Sequence, residues 1–153
     1  LGHMSVVPDL EAIQCGCGKM GCLETVSSAT GIVRMATDAV HRGNRTSLSQ
    51  LDEITAKDVF DAAKAGDEAA QRIVNRAAYY IGKSMAAVAI IVNPQRFIIG
   101  GGVSKAGEFL FAQIREAYGK LAQDRAKEGV DIVAAELGND AGVVGAAGLM
   151  RNL

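Results

Sequence analysis

The sequence predicts an α/β fold that is rich in helix and carries a metal-binding loop near its amino terminus. The last third of the chain reads as strand, helix, strand and helix, which implies two parallel strands joined by a right-handed crossover. The first 24 residues contain all three cysteines of the protein, interspersed with glycines, and one histidine. With 153 residues the chain is long enough for one sizeable domain.

The composition is that of an ordinary soluble globular chain. Hydrophobic residues make up 49% and charged residues 22% of the sequence, and the formal net charge is -1. Acids and bases alternate, so the chain has no electrostatic footprint for nucleic acid or for an anionic membrane surface. The first residues do not follow the pattern of a signal peptide, and the most apolar run, Met85 to Val92, is too short to span a bilayer. We expect a cytoplasmic protein with neither a nucleic-acid nor a membrane partner.

The amino-terminal region predicts a short edge strand followed by a zinc-binding loop. Met4 to Val7 is a β-branched run that ends at a Pro-Asp turn. The cysteines after it have the spacing C-x-C-x4-C, and the glycines between them allow a short loop to fold back on itself. Thiolate and imidazole are the ligands of closed tetrahedral zinc sites. We therefore predict a zinc site formed by His3, Cys15, Cys17 and Cys22.

Two other interpretations of the cysteines remain open at this point. A buried cysteine often acts as a small hydrophobic residue, and neighbouring thiols also support redox chemistry. A disulfide framework is disfavoured because three cysteines cannot all pair within one chain.

Three helices are predicted in the middle of the chain. The first runs from Cys22 to His41, with a kink or a break at Gly31, and a polar, turn-rich segment follows it. A capping box at Thr55 opens a short helix from Ala56 to Ala65. A long apolar pattern at steps of three and four residues then runs from Asp67 to Val92 and ends at an Asn-Pro pair.

The last third supplies the predicted parallel strands. The pattern indicates a strand from Arg96 to Ile99, a helix from Ala106 to Lys127 and a second buried strand from Val130 to Ala134. A small-residue helix from Ala141 to Leu153 follows, and its glycines predict a close approach to neighbouring backbone.

A glycine triplet, Gly100 to Gly102, follows the first of these strands. Glycines between a buried strand and a helix remove side chains where a ligand would contact the backbone, and the helix then offers free N–H groups. The triplet does not match the dinucleotide fingerprint, because Lys105 stands where the third glycine is required. The phosphate-loop pattern also fails at Gly82-Lys-Ser, where Ala77 replaces the first glycine. The alternative is that the triplet only permits a tight turn.

Taken together, these motifs resemble the ROK family of repressors, open reading frames and sugar kinases. The signature C-x-C-G-x2-G-C-x-E matches Cys15 to Glu24 throughout. Leu1 to Val6 resembles the tail of the family's E-x-G-H sugar-binding motif, and Thr25 to Arg34 is similar to the glucokinases of Gram-positive bacteria. Gly100 to Ser104 resembles the adenosine-side motif of the actin–hexokinase–chaperone fold, and Asn139 to Ala147 resembles the family's usual ending.

The resemblance implies the C-terminal lobe of an actin/hexokinase/Hsp70-like (ribonuclease H-like) fold. Residues 1–153 would form a single partial domain, without the N-terminal lobe and the first strands of this lobe. The full-length protein would be an ATP-dependent glucokinase that forms glucose 6-phosphate and ADP, with structural zinc, ATP and Mg²⁺ as cofactors, and it would form a homodimer. The general base is expected outside this chain, so no catalytic residue is assigned here and the isolated chain is expected to be inactive.

The resemblance also assigns roles to individual residues. His3 would bind zinc through one ring nitrogen and a sugar hydroxyl through the other, and Glu24 would accept hydrogen bonds from sugar hydroxyls. The backbone of Gly101, Gly102 and Val103 would lie against the nucleoside.

Three rival functions remain open beside the kinase. A ROK repressor would keep the zinc loop and the sugar site, and it would read DNA through an N-terminal helix-turn-helix. A ROK kinase for another hexose, such as fructose or N-acetylmannosamine, would share every motif above. A zinc-stabilised helical domain without a small-molecule ligand is the third. The Thr25 to Arg34 segment and the retained glycine turn favour the kinase.

Overall fold

The computed structural model describes residues 1–150, which form seven α-helices and a two-stranded sheet. Four short 3-10 turns connect these elements, at Asp9–Glu11, Ser47–Gln50, Gly102–Ala106 and Gly138–Asp140. The helices and strands, in chain order, are α1 (Glu24–Ser27), α2 (Ala29–His41), α3 (Ala56–Lys64), α4 (Glu68–Val92), β1 (Arg96–Ile99), α5 (Glu108–Leu121), α6 (Asp124–Lys127), β2 (Asp131–Ala134) and α7 (Ala141–Leu149).

The two strands pair in parallel, as predicted. The register runs from Arg96 opposite Asp131 to Ile99 opposite Ala134, and α5 lies in the crossover between them. The first pair of the register is also an ion pair, with 2.8 Å between the Arg96 guanidinium and the Asp131 carboxylate. The sheet therefore places the glycine turn directly after its first strand.

The core centres on α4, which packs against α5 and against α1, α2 and α3. Val74 of α4 and Ile114 of α5 are completely buried. Helices α4 and α5 are in close contact at Gly82, where a Cβ atom would lie 2.7 Å from the Cβ of Ala117. At 25 residues α4 is the longest element, yet none of the helices in residues 1–150 is long and apolar enough to cross a membrane.

The caps and ends of α3 and α4 agree with the sequence predictions. The predicted capping box of α3 is present, because Thr55 Oγ1 accepts from the Asp58 N–H and the Asp58 carboxylate accepts from the Thr55 N–H. Asp67 caps α4 by accepting from the Ala70 N–H at 3.0 Å. The helix ends at Asn93, which adopts the left-handed conformation with φ 41°.

The prediction of an edge strand from Met4 to Val7 is wrong. This segment forms only an isolated bridge between Ser5 and Cys22, because the Gly21 carbonyl accepts from the N–H groups of both Val6 and Val7. The segment is therefore part of the metal loop.

The first predicted helix breaks at Ser28, three residues before the expected position. Ser28 adopts an extended conformation that ends α1 and begins α2. Gly31 serves a different purpose: a Cβ atom there would lie 2.6 Å from the carbonyl oxygen of Thr25, so the glycine allows α2 to pack on α1.

Several predictions in the last third need correction. The helix expected from Ala106 to Lys127 ends at Leu121, and the chain resumes helical structure only in the single turn of α6. Val92 ends the apolar pattern of α4 and Ile98 lies within the apolar run of β1, yet the two residues are 62% and 67% exposed. The glycines of α7 have no neighbouring atom within 4 Å of a Cβ position, so no close backbone approach occurs there in the described part of the chain. Residues 151–153 of the predicted last helix lie outside the described residues.

Candidate functional site

The amino-terminal loop folds back on itself through two antiparallel bridges. Ser5 pairs with Cys22. Inside the loop that this pair closes, Gln14 pairs with Met20. A tight turn closes the tip, where the Cys15 N–H donates to the Lys19 carbonyl at 2.8 Å. Gly21 is required because its φ is 70° and a Cβ atom would lie 2.7 Å from the Val7 carbonyl.

This folding brings the four predicted zinc ligands together. One ligand atom from each of His3, Cys15, Cys17 and Cys22 lies within 4.8 Å of the others. The Cys15 sulfur is 3.6 Å from Nδ1 of His3, and the sulfurs of Cys17 and Cys22 are also 3.6 Å apart. All three cysteines are free thiols.

Two of the separations within the cluster fit a tetrahedral zinc ion. Zn–S bonds of about 2.3 Å and Zn–N bonds of about 2.0 Å, at tetrahedral angles, put ligand atoms about 3.5–3.8 Å apart. The two 3.6 Å separations match this spacing closely. Three thiols and one imidazole complete a closed four-ligand set, which is the donor chemistry of a structural zinc site.

Burial and hydrogen bonding shift the pKa values of Cys17 and Cys22 in opposite directions. The backbone N–H of Lys19 lowers the pKa of the exposed Cys17 thiol. Burial raises the pKa of Cys22, and the neighbouring sulfurs of Cys17 and Cys15 raise it further. Metal ligation requires thiolates, so a bound cation would supply the charge that this crowded set lacks.

His3 and Glu24 form the exposed rim of the cluster. Nδ1 of His3 lies 3.4 Å from Oε2 of Glu24, and the same carboxylate oxygen lies 3.7 Å from the Cys15 sulfur. The side chains of His3 and Glu24 are 62% and 48% exposed. Because Nδ1 faces the sulfurs, the Nε2 atom of His3 is left for another partner.

Backbone contacts fix Glu24 relative to His3. The N–H of Glu24 donates to the Gly2 carbonyl at 2.8 Å, and Glu24 opens the single turn of α1 two residues after the predicted ligand Cys22. Thr25 Oγ1 donates to the Cys22 carbonyl at 2.7 Å, which anchors the same turn.

Two cavities meet at this rim. The first, which we call the metal-side cavity, has a volume of about 570 Å³, and its lining includes His3, Cys15, Cys17, Glu24, Ser28 and Arg34. The second, the glycine-side cavity, is also about 570 Å³ and extends from His3 and Glu24 to the glycine turn. The two cavities therefore share His3, Glu24 and Ser28.

The glycine turn runs close to the start of α2. Gly101 has a φ of 85°, and its carbonyl accepts from the Ser104 hydroxyl at 2.8 Å. A Cβ atom on Gly102 would lie 3.2 Å from the Cβ of Ala29. Val103, which is buried, lines the same cavity as the two glycines.

The geometry brings all the predicted site residues to one side of the molecule, but the predictions did not include the α1–α2 junction. Ser28 and Arg34 line the metal-side cavity beside the cluster. A signal was present in the sequence, since serine is a preferred N-cap residue and stands just before a helical run. It was obscured because Cys22 to His41 reads as one helix.

Comparisons with a family model, with curated proteins and with solved structures all point to the ROK family. The model of the ROK family matches residues 1–152. A glucokinase of Halalkalibacterium halodurans is 45% identical over 99% of this chain and 47% of its own length. A ROK family glucokinase of Streptomyces griseus, crystallised with glucose and AMPPNP, is 35% identical with a TM-score of 0.78 and covers 99% of this chain and 51% of its own.

A ROK family transcriptional regulator, described as a homolog of the E. coli MLC protein, is also similar. It is 29% identical with a TM-score of 0.76, and the alignment covers 88% of this chain and 33% of the regulator. The chain thus spans about half the length of the curated relatives it matches. The similarity to sugar kinase structures confirms a helix-rich α/β fold of the actin–hexokinase type. On its motif, its fold and the family match across residues 1–152, the chain belongs to the ROK family.

Proposed function

We propose that this chain forms the C-terminal lobe of an ATP-dependent hexose kinase whose sugar is glucose. The observation that carries the proposal is the shared rim, where His3 and Glu24 border the metal-side cavity and also face the glycine turn across the glycine-side cavity. One rim therefore adjoins a site for a polar ligand and a turn suited to backbone contact with a nucleotide.

In this proposal His3 and Glu24 bind the sugar. The Nε2 atom of His3 and the carboxylate of Glu24 would each take a sugar hydroxyl, with the carboxylate acting only as an acceptor. Nδ1 of His3 lies 3.4 Å from Oε2 of Glu24, so the two side chains are neighbours on the rim and can both reach one sugar ring. Similarity to the glucokinase crystallised with glucose supports the same class of ligand.

Zinc would be held by His3, Cys15, Cys17 and Cys22 and would have a structural role. When bound, it fixes the tautomer and the ring orientation of His3, so that the free ring nitrogen keeps one direction. The ligand set is closed, so it leaves no open position for Lewis-acid chemistry on the sugar.

ATP would lie along the glycine turn. Gly101, Gly102 and Val103 line the glycine-side cavity, and the two glycines expose backbone to a ligand. Phosphoryl transfer relies on positioning and charge stabilisation around Mg²⁺, which both lobes of a kinase would supply on closing over the substrates. The general base is assigned to the other lobe.

Exposed apolar side chains support the presence of a further lobe. At the end of α4, Ile90, Ile91 and Val92 are 60%, 81% and 62% exposed, and Ile98 on β1 is 67% exposed. Clustered apolar surface of this kind usually marks an interface. In the proposal, further protein covers this surface, and homodimer formation and a cytoplasmic location remain part of the same hypothesis.

The experiment is to measure ADP formation by the full-length protein with glucose, fructose and N-acetylmannosamine at saturating Mg-ATP. We expect the highest kcat/KM for glucose. Glu24→Gln should raise the glucose KM about 10- to 100-fold, because it removes a charged acceptor worth about 1.5–3 kcal/mol. Glu68→Gln, an exposed acid at the start of α4, is the matched control and should leave the KM unchanged.

A repressor is the second candidate, since the similar transcriptional regulator aligns over most of this chain. Absence of hexose-dependent ADP formation, combined with sugar-responsive DNA binding by the full-length protein, would replace the kinase with the repressor. ADP formation by residues 1–153 alone would contradict the assignment of the base to another lobe.

A further inference from the structure

We propose that Ser28 is a positioning residue that keeps the sugar-binding rim in register with the glycine turn. The inference rests on the proposed kinase function and extends it to a residue outside the proposed metal ligands and sugar-binding side chains. Ser28 lies at the break between α1 and α2 and is one of the three residues common to both cavities.

Every polar group of Ser28 takes part in this junction. Its N–H donates to the Glu24 carbonyl at 3.1 Å and so closes α1, while its carbonyl accepts from the Ile32 N–H at 2.9 Å. Its Oγ accepts from the Gly31 N–H at 3.0 Å and lies 2.9 Å from Oγ1 of Thr30. A single residue thus ends the helix that carries Glu24 and caps the next one.

The junction is rigid on the sugar side. Gly31 lies against α1 so closely that a Cβ atom would be 2.6 Å from the Thr25 carbonyl oxygen. Arg34, one turn further along α2, donates to that same carbonyl at 3.2 Å and forms an ion pair with Asp38 at 2.9 Å. Movement of α2 would therefore displace α1 and, with it, Glu24.

On the other side the junction contacts the glycine turn. Ala29, the residue after Ser28, lies 3.2 Å from the position that a Gly102 Cβ atom would take. Residues 24–29 thus extend from the proposed sugar contact Glu24 to Ala29, which packs against Gly102. A binding site held in this way needs less ordering when the ligands arrive, which favours binding and productive alignment.

Loss of the Ser28 hydroxyl removes the cap from the first turn of α2. The sugar-binding rim and the glycine turn can then move independently of each other. We expect Ser28→Ala in the full-length protein to raise the KM of both hexose and ATP about 5- to 10-fold and to lower kcat as well. Ser28→Thr keeps a capping hydroxyl and should restore all three parameters towards wild type.

Thr46→Ala is the matched control. Thr46 also caps a turn, by accepting from the Leu48 N–H at 3.2 Å, and donates to a second side chain, Asp67, at 2.8 Å. It lines neither cavity. It should lower the melting temperature as Ser28→Ala does, with both KM values unchanged.

The outcomes separate this inference from the proposed function. A wild-type protein without hexose kinase activity overturns the function on which the inference rests. An active wild type in which Ser28→Ala loses stability but keeps its KM values, like Thr46→Ala, overturns the inference alone. If Ser28→Ala does not fold, Ser28→Gly replaces it, because glycine is tolerated better than alanine at an N-cap, and the same KM increases are expected.

Discussion

Asp67 shows how one side chain connects two distant parts of the chain. One carboxylate oxygen caps α4 through the Ala70 N–H, and the other accepts from the Thr46 hydroxyl and from both the N–H and the hydroxyl of Ser47. Burial alone would raise the pKa of Asp67, but the hydrogen bonds from Ala70, Ser47 and Thr46 outweigh it and lower the pKa to about 2. The ionised carboxylate is the form that these donors stabilise.

Asp67→Asn should destabilise the protein by about 1–3 kcal/mol at neutral pH, because an amide cannot accept from all four donors. The folded pKa lies below the ordinary value of 3.8, so the contribution of Asp67 is complete above about pH 4 and is lost as the pH falls towards about 2. Urea unfolding of both proteins between pH 2 and pH 7 measures this. A difference that stays constant down to pH 2 would contradict the assignment.

At the scale of single residues, the sequence predicted that His3 and the three cysteines lie together, but it did not reveal the roles of Asp67 or Ser28. Cysteine spacing limits chemistry directly, since few arrangements of three thiols and a histidine serve another purpose. The partners of Asp67, Thr46 and Ser47, lie about twenty positions away, and only the fold brings them together. Hydrogen bonds of this kind leave no pattern in the sequence.

Among the elements, the crossing of α4 and α5 depends on one glycine. A Cβ atom at Gly82 would lie 2.7 Å from the Ala117 Cβ and 2.8 Å from the Tyr118 nitrogen. The second of these neighbours is backbone, which cannot move without shifting the whole helix. Gly119, on α5, has no atom within 4 Å of its Cβ position.

These two glycines should respond to alanine in opposite directions. Gly82→Ala forces the helices apart and should cost about 1–3 kcal/mol of stability. Gly119→Ala lies in open space within a helix and should add about 0.5–1 kcal/mol, since alanine is the better helix former. Thermal unfolding of both variants gives the comparison. Stabilisation by Gly82→Ala would show that the close crossing is absent.

The elements themselves were predicted to different degrees. Long amphipathic patterns such as α4, and the parallel strands after it, were correct because burial imposes their periodicity over many residues. The prediction of a strand from Met4 to Val7 was wrong because β-branched residues also occur in irregular loops. Here the Gly21 carbonyl accepts from two successive N–H groups, in place of the hydrogen-bond ladder of a sheet. The break at Ser28 was missed because α1 is only one turn long and shows no periodicity of its own.

On the scale of the whole molecule, the metal loop is attached to the helical core by few polar contacts. Lys83 of α4 donates to the Val6 carbonyl at 3.2 Å, and Arg76 of the same helix pairs with Glu11 at 2.7 Å. The hydrophobic core includes Val7 and Leu23, which flank the loop, but none of the four predicted ligands. We therefore expect the order of the ligand cluster to depend on the metal more than the order of the core does.

Removal of the metal should weaken sugar binding before it unfolds the core. Chelation of the full-length protein should release one zinc ion per chain, measured by elemental analysis, and should weaken glucose binding at least about 10-fold because His3 and Glu24 lose their fixed orientation. Calorimetry without Mg²⁺ or ATP measures the sugar alone. Re-addition of zinc is the control and should restore affinity, and unchanged glucose affinity in metal-free protein would refute the coupling.

The short distance between Ala29 and Gly102 also has a consequence for sequence variation. Because a second Cβ atom would come within 3.2 Å of the first, the space between α2 and the glycine turn accommodates one methyl group but is tight for two. Positions 29 and 102 should therefore covary among relatives: alanine at one goes with glycine at the other, although 73 positions separate them along the chain. Ala29 alone thus favours glycine at position 102, whether or not a ligand binds there.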